Sequence, residues 1–141
     1  MRMMMATRVC AMVLAGVLLT SCSSNESVAT AERQISSFRR SVAAQQYAHI
    51  YAASSDVLKK STREEELVSL LSAVKRKLGD VKTSEKSGWS VRFLSTGTYV
   101  TLGYKTQFER GGGAETFVYQ VSEGNALLAG YHINSNALIT N

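Results

Sequence analysis

Sulfur is missing from most of this 141-residue chain: its two cysteines are Cys10 and Cys22, and its five methionines stand at positions 1, 3, 4, 5 and 12. From residue 23 onward there is neither. A domain built from that stretch has no disulfide to hold it and no thiol for catalysis or metal binding. Histidine is scarce as well, with His49 and His132 only, and no carboxylate stands near them at ligand spacing. No metal and no cofactor are expected on that pattern. The sequence also lacks a nucleophile elbow, a phosphate loop following a strand and a zinc signature. Long apolar runs are absent: Val9 to Leu19 is eleven residues, about half of the roughly twenty that cross a bilayer. Charge of either sign is modest. Sixteen Lys plus Arg face eleven Asp plus Glu, and setting aside Arg2 and Arg8 leaves fourteen, a balance of about +3. Nucleic acid, which calls for a concentrated basic stripe, is not an expected partner.

What the first residues do contain is ordered. Arg2 and Arg8 precede the apolar run, and Leu19-Thr20-Ser21-Cys22 closes it. A short basic region, an apolar stretch too short to span and small residues before a cleavage point describe an export signal. A core helix would show polar positions at helical spacing, and this run has none. The tetrapeptide resembles a bacterial lipobox. That resemblance implies a signal peptide over residues 1–21, lipidation of Cys22 as the first mature residue, and a membrane as partner through that lipid. Ser23 rather than Asp follows the cysteine, which among lipoproteins of two-membrane bacteria implies the outer membrane, facing the periplasm, ahead of the inner. A Gram-positive surface is the other setting left open. Residues 22–28, polar and without apolar periodicity, are expected to form a flexible tether, and 29–141 a single domain with a modest core.

That domain opens with helical spacing. Between Ala29 and Ala44, Ile35, Phe38 and Val42 recur at three and four residues, so one stripe faces a core. Gln45-Gln46 marks a bend before Tyr47, Ile50, Tyr51 and Ser54, which continue the same helix or begin a second. Ser54-Ser55-Asp56 is a loop or cap, and Val57-Leu58 a small apolar anchor. The clearest helix follows. Ser61 with Glu64, or Thr62 with Glu65, has the spacing of a capping box, and Leu67, Leu71, Val74 and Leu78 form the stripe. Glu64, Glu65 and Glu66 at its start and Lys75, Arg76 and Lys77 at its end complement the helix dipole. Gly79 supplies the stop.

From Val81 the period changes to two and the residues become β-branched and aromatic. Four strands are expected. The first, Lys82 to Leu94, carries Trp89, Val91 and Phe93 on one face. After Ser95-Thr96-Gly97 the second, Tyr99 to Glu109, carries Val100, Leu102, Tyr104 and Phe108. Gly111-Gly112-Gly113 is the next turn and Ala114 to Val121 the third strand. Ser122-Glu123-Gly124-Asn125 leads into Ala126 to Ile133, where Leu127, Ala129, Tyr131 and Ile133 are expected to point one way. Two or three N-terminal helices on one face of a curved four-stranded antiparallel meander is an α+β fold.

The run Arg76-Lys77-Leu78-Gly79-Asp80-Val81, the hairpins after it, and Leu128-Ala129-Gly130-Tyr131-His132-Ile133 resemble small exported domains with the cystatin-like cone of the nuclear transport factor 2 superfamily. The resemblance covers most of residues 30–138, and its motifs are structural, so it implies a fold rather than an activity. Enzymes of that superfamily such as ketosteroid isomerase place a carboxylate in an apolar pocket. Here Glu85, Glu109, Glu115 and Glu123 fall near expected turns or strand ends, and none in the middle of an apolar face. No catalytic residue is therefore expected, and the leading functional expectation is a non-catalytic interaction module of the cell envelope. Members of the superfamily often dimerise through the open sheet face, which implies a homodimer or an envelope protein on the outward residues Thr101, Lys105, Gln107, Thr116, Val118 and Gln120. Alternatives are a cone that binds a small apolar ligand among Trp89, Tyr104, Phe117, Tyr119 and Tyr131, a toxin-neutralising immunity protein, and, least favoured, a proton-transfer enzyme. The plain reading of the same aromatics is core filling between helices and sheet.

Overall fold

The computed structural model describes residues 24–141. Four helices come first, α1 (Ser24–Ala43), α2 (Tyr47–Ala52), α3 (Asp56–Ser61) and α4 (Glu64–Leu78). Four strands follow, β1 (Val81–Leu94), β2 (Gly97–Phe108), β3 (Gly111–Ser122) and β4 (Asn125–Asn134), and α5 (Ala137–Thr140) ends the chain. The strands pair antiparallel in the order β1-β2-β3-β4, an open curved meander with the helices on one face. The α+β cone-like arrangement expected from the change of period is the one observed. The helices outnumber the two or three expected, because Val57-Leu58 belongs to a full turn, α3, with Ser55 Oγ accepting from the Leu58 amide at its start. The single turn of α5 gave no periodic signal.

Ser24–Val28, expected to be tether, are already helical, part of α1 from the first described residue. The reason is a small-residue stripe: Ser27, Val28, Thr30 and Ala31 are buried and extend the line of Ile35 and Phe38 toward the amino end. Gln45, at φ +57°, breaks the chain between α1 and α2. The start of α4 differs from both expected caps. Arg63 holds the cap position, and the Glu66 carboxylate accepts from its backbone amide and its guanidinium, while the Ser61 hydroxyl turns back to the Leu58 carbonyl. Gly79 ends α4 at φ +79°, where an added Cβ would collide with the Glu109 carboxylate.

Hairpin geometry corrects three details. Glu109 and Arg110 make the β2–β3 turn, and Gly111, Gly112 and Gly113 are already paired strand. Glu123 and Gly124, both with positive φ, close β3–β4 in the twist-matched form that two-residue hairpins favour. In β4 the register slips at Ala129: Tyr119 pairs with Leu128 but Val118 with Gly130. One extra residue inverts the alternation. Ala126 and Leu128 are therefore buried on one side of the bulge and Ile133 on the other, whereas Leu127, expected inward, is exposed.

The core fills the space between helices and sheet. α1 lies across all four strands, and Phe38 meets the Phe117 ring edge-on at 5.1 Å. A second, smaller cluster of Val74, Leu78, Phe108 and Ile133 sits under the end of α4, and Tyr131 packs against both clusters. Past Lys86, where α1 still reaches β1 through Glu32, the strand runs out from under this cover. Trp89 and Phe93 pair with Leu102 and Thr98, on the helix side of the sheet, yet are 49 % and 65 % exposed.

Candidate functional site

Arg39 follows Phe38 on α1, one step off the core stripe, so its side chain passes along the helix flank onto the sheet. Its Nη2 donates to Ser84 Oγ at 2.8 Å on β1, to Thr106 Oγ1 at 3.3 Å on β2 and to Glu115 Oε2 at 2.9 Å on β3. The Thr106 hydroxyl donates to the same Glu115 oxygen at 2.5 Å. Having given its one proton there, Thr106 accepts from Ser84 in the 3.0 Å contact between the two hydroxyls. From β4, Tyr131 donates to Glu115 Oε1 at 2.8 Å. One helix is thus tied to every strand through a single carboxylate.

Glu115 is 2 % exposed and Arg39 18 %. A carboxylate this deep is tolerated because each oxygen is engaged and a guanidinium neutralises it. The Arg39 guanidinium also lies 5.8 Å from the centres of the Tyr104 and Phe117 rings, within reach of their electron-rich faces. Burial first, then the charge of Glu115 and the hydrogen bond to it, push the Tyr131 phenol well above its ordinary range. It remains a neutral donor wherever proteins normally operate. Burial drives Tyr119 upward in the same way and Tyr104 less strongly. No buried side-chain nitrogen or oxygen lacks a partner among the described residues.

Glu115 is the correction that matters most for function. The sequence pattern puts it near a strand end, with β3 starting at Ala114. The strand starts at Gly111, and Glu115 shares its face with Phe117 and Tyr119 by simple alternation. That parity was present in the sequence. Glu85 is exposed, and Glu109 and Glu123 stand at turns, as expected.

Beside the cluster is a pocket of about 330 Å³ between the second half of α1, α4 and the nearby end of the sheet. Phe38, Val42, Leu71, Val81, Phe108 and Tyr131 supply apolar walls, and Arg39, Arg40, Asp80 and Glu115 the polar lining. Asp80 pairs with Lys75. Arg40 is exposed, and its side chain makes no hydrogen bond or ion pair with a described residue. Of the five aromatics singled out in the sequence, Tyr131 reaches this pocket. Phe117 and Tyr119 are core residues, the latter beside a 90 Å³ crevice shared with His49. Tyr104 is half-buried under Arg39, and Trp89 is exposed on β1 beyond the reach of α1. His132 is exposed on the outer face, far from His49 in the fold, and no group of three metal-ligating side chains occurs among the described residues. Leu19, Thr20, Ser21 and Cys22 lie outside the described residues.

The chain belongs to the DUF4019 family of proteins of unknown function, whose model matches residues 36–131. That stretch includes Arg39, Ser84, Thr106, Glu115 and Tyr131, so the whole cluster falls inside the family domain. No curated protein matches the chain.

Proposed function

We propose that this protein is a lipid-anchored component of the bacterial cell envelope, held by an acyl group on Cys22 at the outer membrane, whose domain is a non-catalytic binding module for a small amphipathic ligand. The observation that carries the binding reading is the 330 Å³ pocket, walled mostly by apolar side chains with Arg39, Arg40, Asp80 and Glu115 in its lining. Such pockets bind an apolar body and orient it through a few polar contacts. Arg40, exposed and unpaired among the described residues, suits an anionic group on that ligand. Binding is favoured over proton transfer because both oxygens of Glu115 already accept from Arg39, Thr106 and Tyr131. A general base must have a lone pair directed at its substrate.

The test uses the full chain and 1-anilinonaphthalene-8-sulfonate, an apolar fluorophore with one sulfonate. Saturable binding is expected, reduced at least tenfold in Val42→Trp, which fills the pocket from α1, and weakened in Arg40→Ala. Equal binding by wild type and Val42→Trp would remove the pocket reading. The anchor is tested apart from it: Cys22→Ala should abolish labelling by an alkyne fatty acid, and retained labelling would remove the lipid reading.

A second reading rests on the outer sheet face. Gly88 stands opposite Gly103, Gly103 opposite Thr116 and Val118 opposite Gly130, leaving a strip of small residues on the face away from the helices. A second copy of the sheet or an envelope protein fits such a face. Val118→Lys should then shift the sedimentation of a dimer to that of a monomer, and a wild-type monomer at high concentration would dismiss this reading.

A further inference from the structure

Of the six large exposed apolar side chains among the described residues, Val57 is on α3 and Ile139 on α5, while the other four lie on β1 and β4 in the half of the sheet that holds the β1–β2 and β3–β4 turns. Phe93 is 65 % exposed, Leu94 57 %, Trp89 49 % and Leu127 46 %, although all four are strand residues. Leu94 pairs with Gly97 at the β1–β2 turn, and Leu127 stands two residues from the β3–β4 turn, opposite Gln120. These two turns share one end of the meander. Trp89 and Phe93 face the helix side along the free edge of β1, where no helix covers them.

The chain enters the domain at this same end. Arg39 of α1 contacts Ser84, and Glu32, two helical turns earlier, pairs with Lys86. Toward the other edge, Phe38 meets Phe117, while Gln34 lines a crevice with Tyr119 and Ala126. Moving toward its amino end, α1 therefore advances along β1 and β3 toward Leu94 and Ser122. Ten residues separate Gln34, beside Tyr119, from Ser24, about 15 Å of helix, against about 10 Å of strand from Tyr119 to Ser122, so the amino end of the described helix reaches the β3–β4 turn. Cys22 is two residues farther, a covalent reach of at most about 7 Å. The pocket, lined by Val42, Gly79 and Asp80, lies toward the opposite end.

We propose that the β1 edge and the two hairpin turns dock on the lipid bilayer, with Trp89, Phe93, Leu94 and Leu127 entering its interface beside the lipid on Cys22. This rests on the lipid-anchor reading given above. Aromatic side chains with an apolar body and a polar edge settle at the headgroup level, and Arg92, exposed between Val91 and Phe93, is placed to meet lipid phosphates. A lipid alone would leave the domain free to turn on its attachment. Side-chain contacts at the same end fix its orientation and hold the pocket away from the bilayer, open to the aqueous side.

Trp89 is the chain's one tryptophan and reports directly on this contact. The full acylated protein is placed in phosphatidylethanolamine–phosphatidylglycerol vesicles with brominated acyl chains. Expected are a blue-shifted Trp89 emission, quenching by the brominated lipid and protection from aqueous iodide. Replacing Phe93 and Leu94 together by Ser, at exposed positions where the fold is unaffected, should return Trp89 to iodide while the lipid stays attached. Iodide quenching without bromine quenching in the acylated protein would overturn the docking and leave the anchor standing. Protection from both quenchers would mean that a second copy covers the strip, which also overturns it. Mass spectrometry of the same sample reads the acyl group on Cys22, and its absence would overturn the anchor and the docking together.

Discussion

Arg39 Nη2 lies 2.9 Å from Glu115 Oε2, with the carboxylate 2 % exposed, and this contact joins the middle of α1 to the third strand of the sheet. Thr106 and Tyr131 complete the set of donors around the same carboxylate, but neither carries charge, so removing either member of the pair leaves the other without its counter-charge.

Glu115→Ala is therefore expected to destabilise the domain by about 3–5 kcal/mol, the range found when one partner of a buried pair is removed. Removing both charges, with Arg39→Met and Glu115→Leu together, should restore much of that loss. Urea unfolding of the three variants decides it. Equal destabilisation in the single and double variants would show that the pair does not act as a unit.

Tyr131→Phe removes the donor to Glu115 Oε1 and should cost about 1.5–3 kcal/mol near neutral pH, as for a hydrogen bond to a charged group. The pH dependence adds a second readout. The folded phenol is raised above its unfolded value of about 10, so its contribution is fully present below that pH. As pH rises further, the unfolded chain releases the proton while the folded one retains it, and stability falls. Tyr119 adds a loss of the same sign. Wild type should weaken above about pH 10, and Tyr131→Phe should weaken less steeply; parallel profiles would contradict the assignment.

Leu127 and Leu128 test the bulge at Ala129. Leu128, 6 % exposed, should lose about 2–5 kcal/mol on truncation to Ala. Leu127, 46 % exposed, should change by no more than about 0.5 kcal/mol. Thermal or urea unfolding of the two variants gives the answer directly, and a reversed order would mean that β4 keeps an uninterrupted alternation.

Gly79→Ala should cost more than about 1 kcal/mol, because φ of +79° disfavours any side chain and Glu109 occupies the space a Cβ needs. Gly79 also lines the pocket, so a probe bound there should lose affinity in parallel. A variant of wild-type stability would place the strain elsewhere.

The sequence by itself determined the order of helices and strands, the antiparallel meander, the stripe of α4 and the inward set of β2, since these follow from spacing along a single element. It also raised the lipid anchor, through the residues that precede Cys22. Its errors share a cause. The start of α1 was hidden because Ala31 and Ser27 are buried by neighbours, not by their own hydrophobicity, and the face of Leu127 depended on a bulge that cross-strand pairing creates. Glu115 could have been found from its parity with Phe117 and Tyr119, but a lone glutamate gives no sign of a guanidinium arriving from a helix 76 positions earlier. Only the tertiary structure brought Arg39, Ser84, Thr106, Glu115 and Tyr131 together, because each sits on a different element and a buried charge becomes tolerable only once its partners are in place. The same holds for the pocket beside them, a gap between packed elements that no single segment encodes.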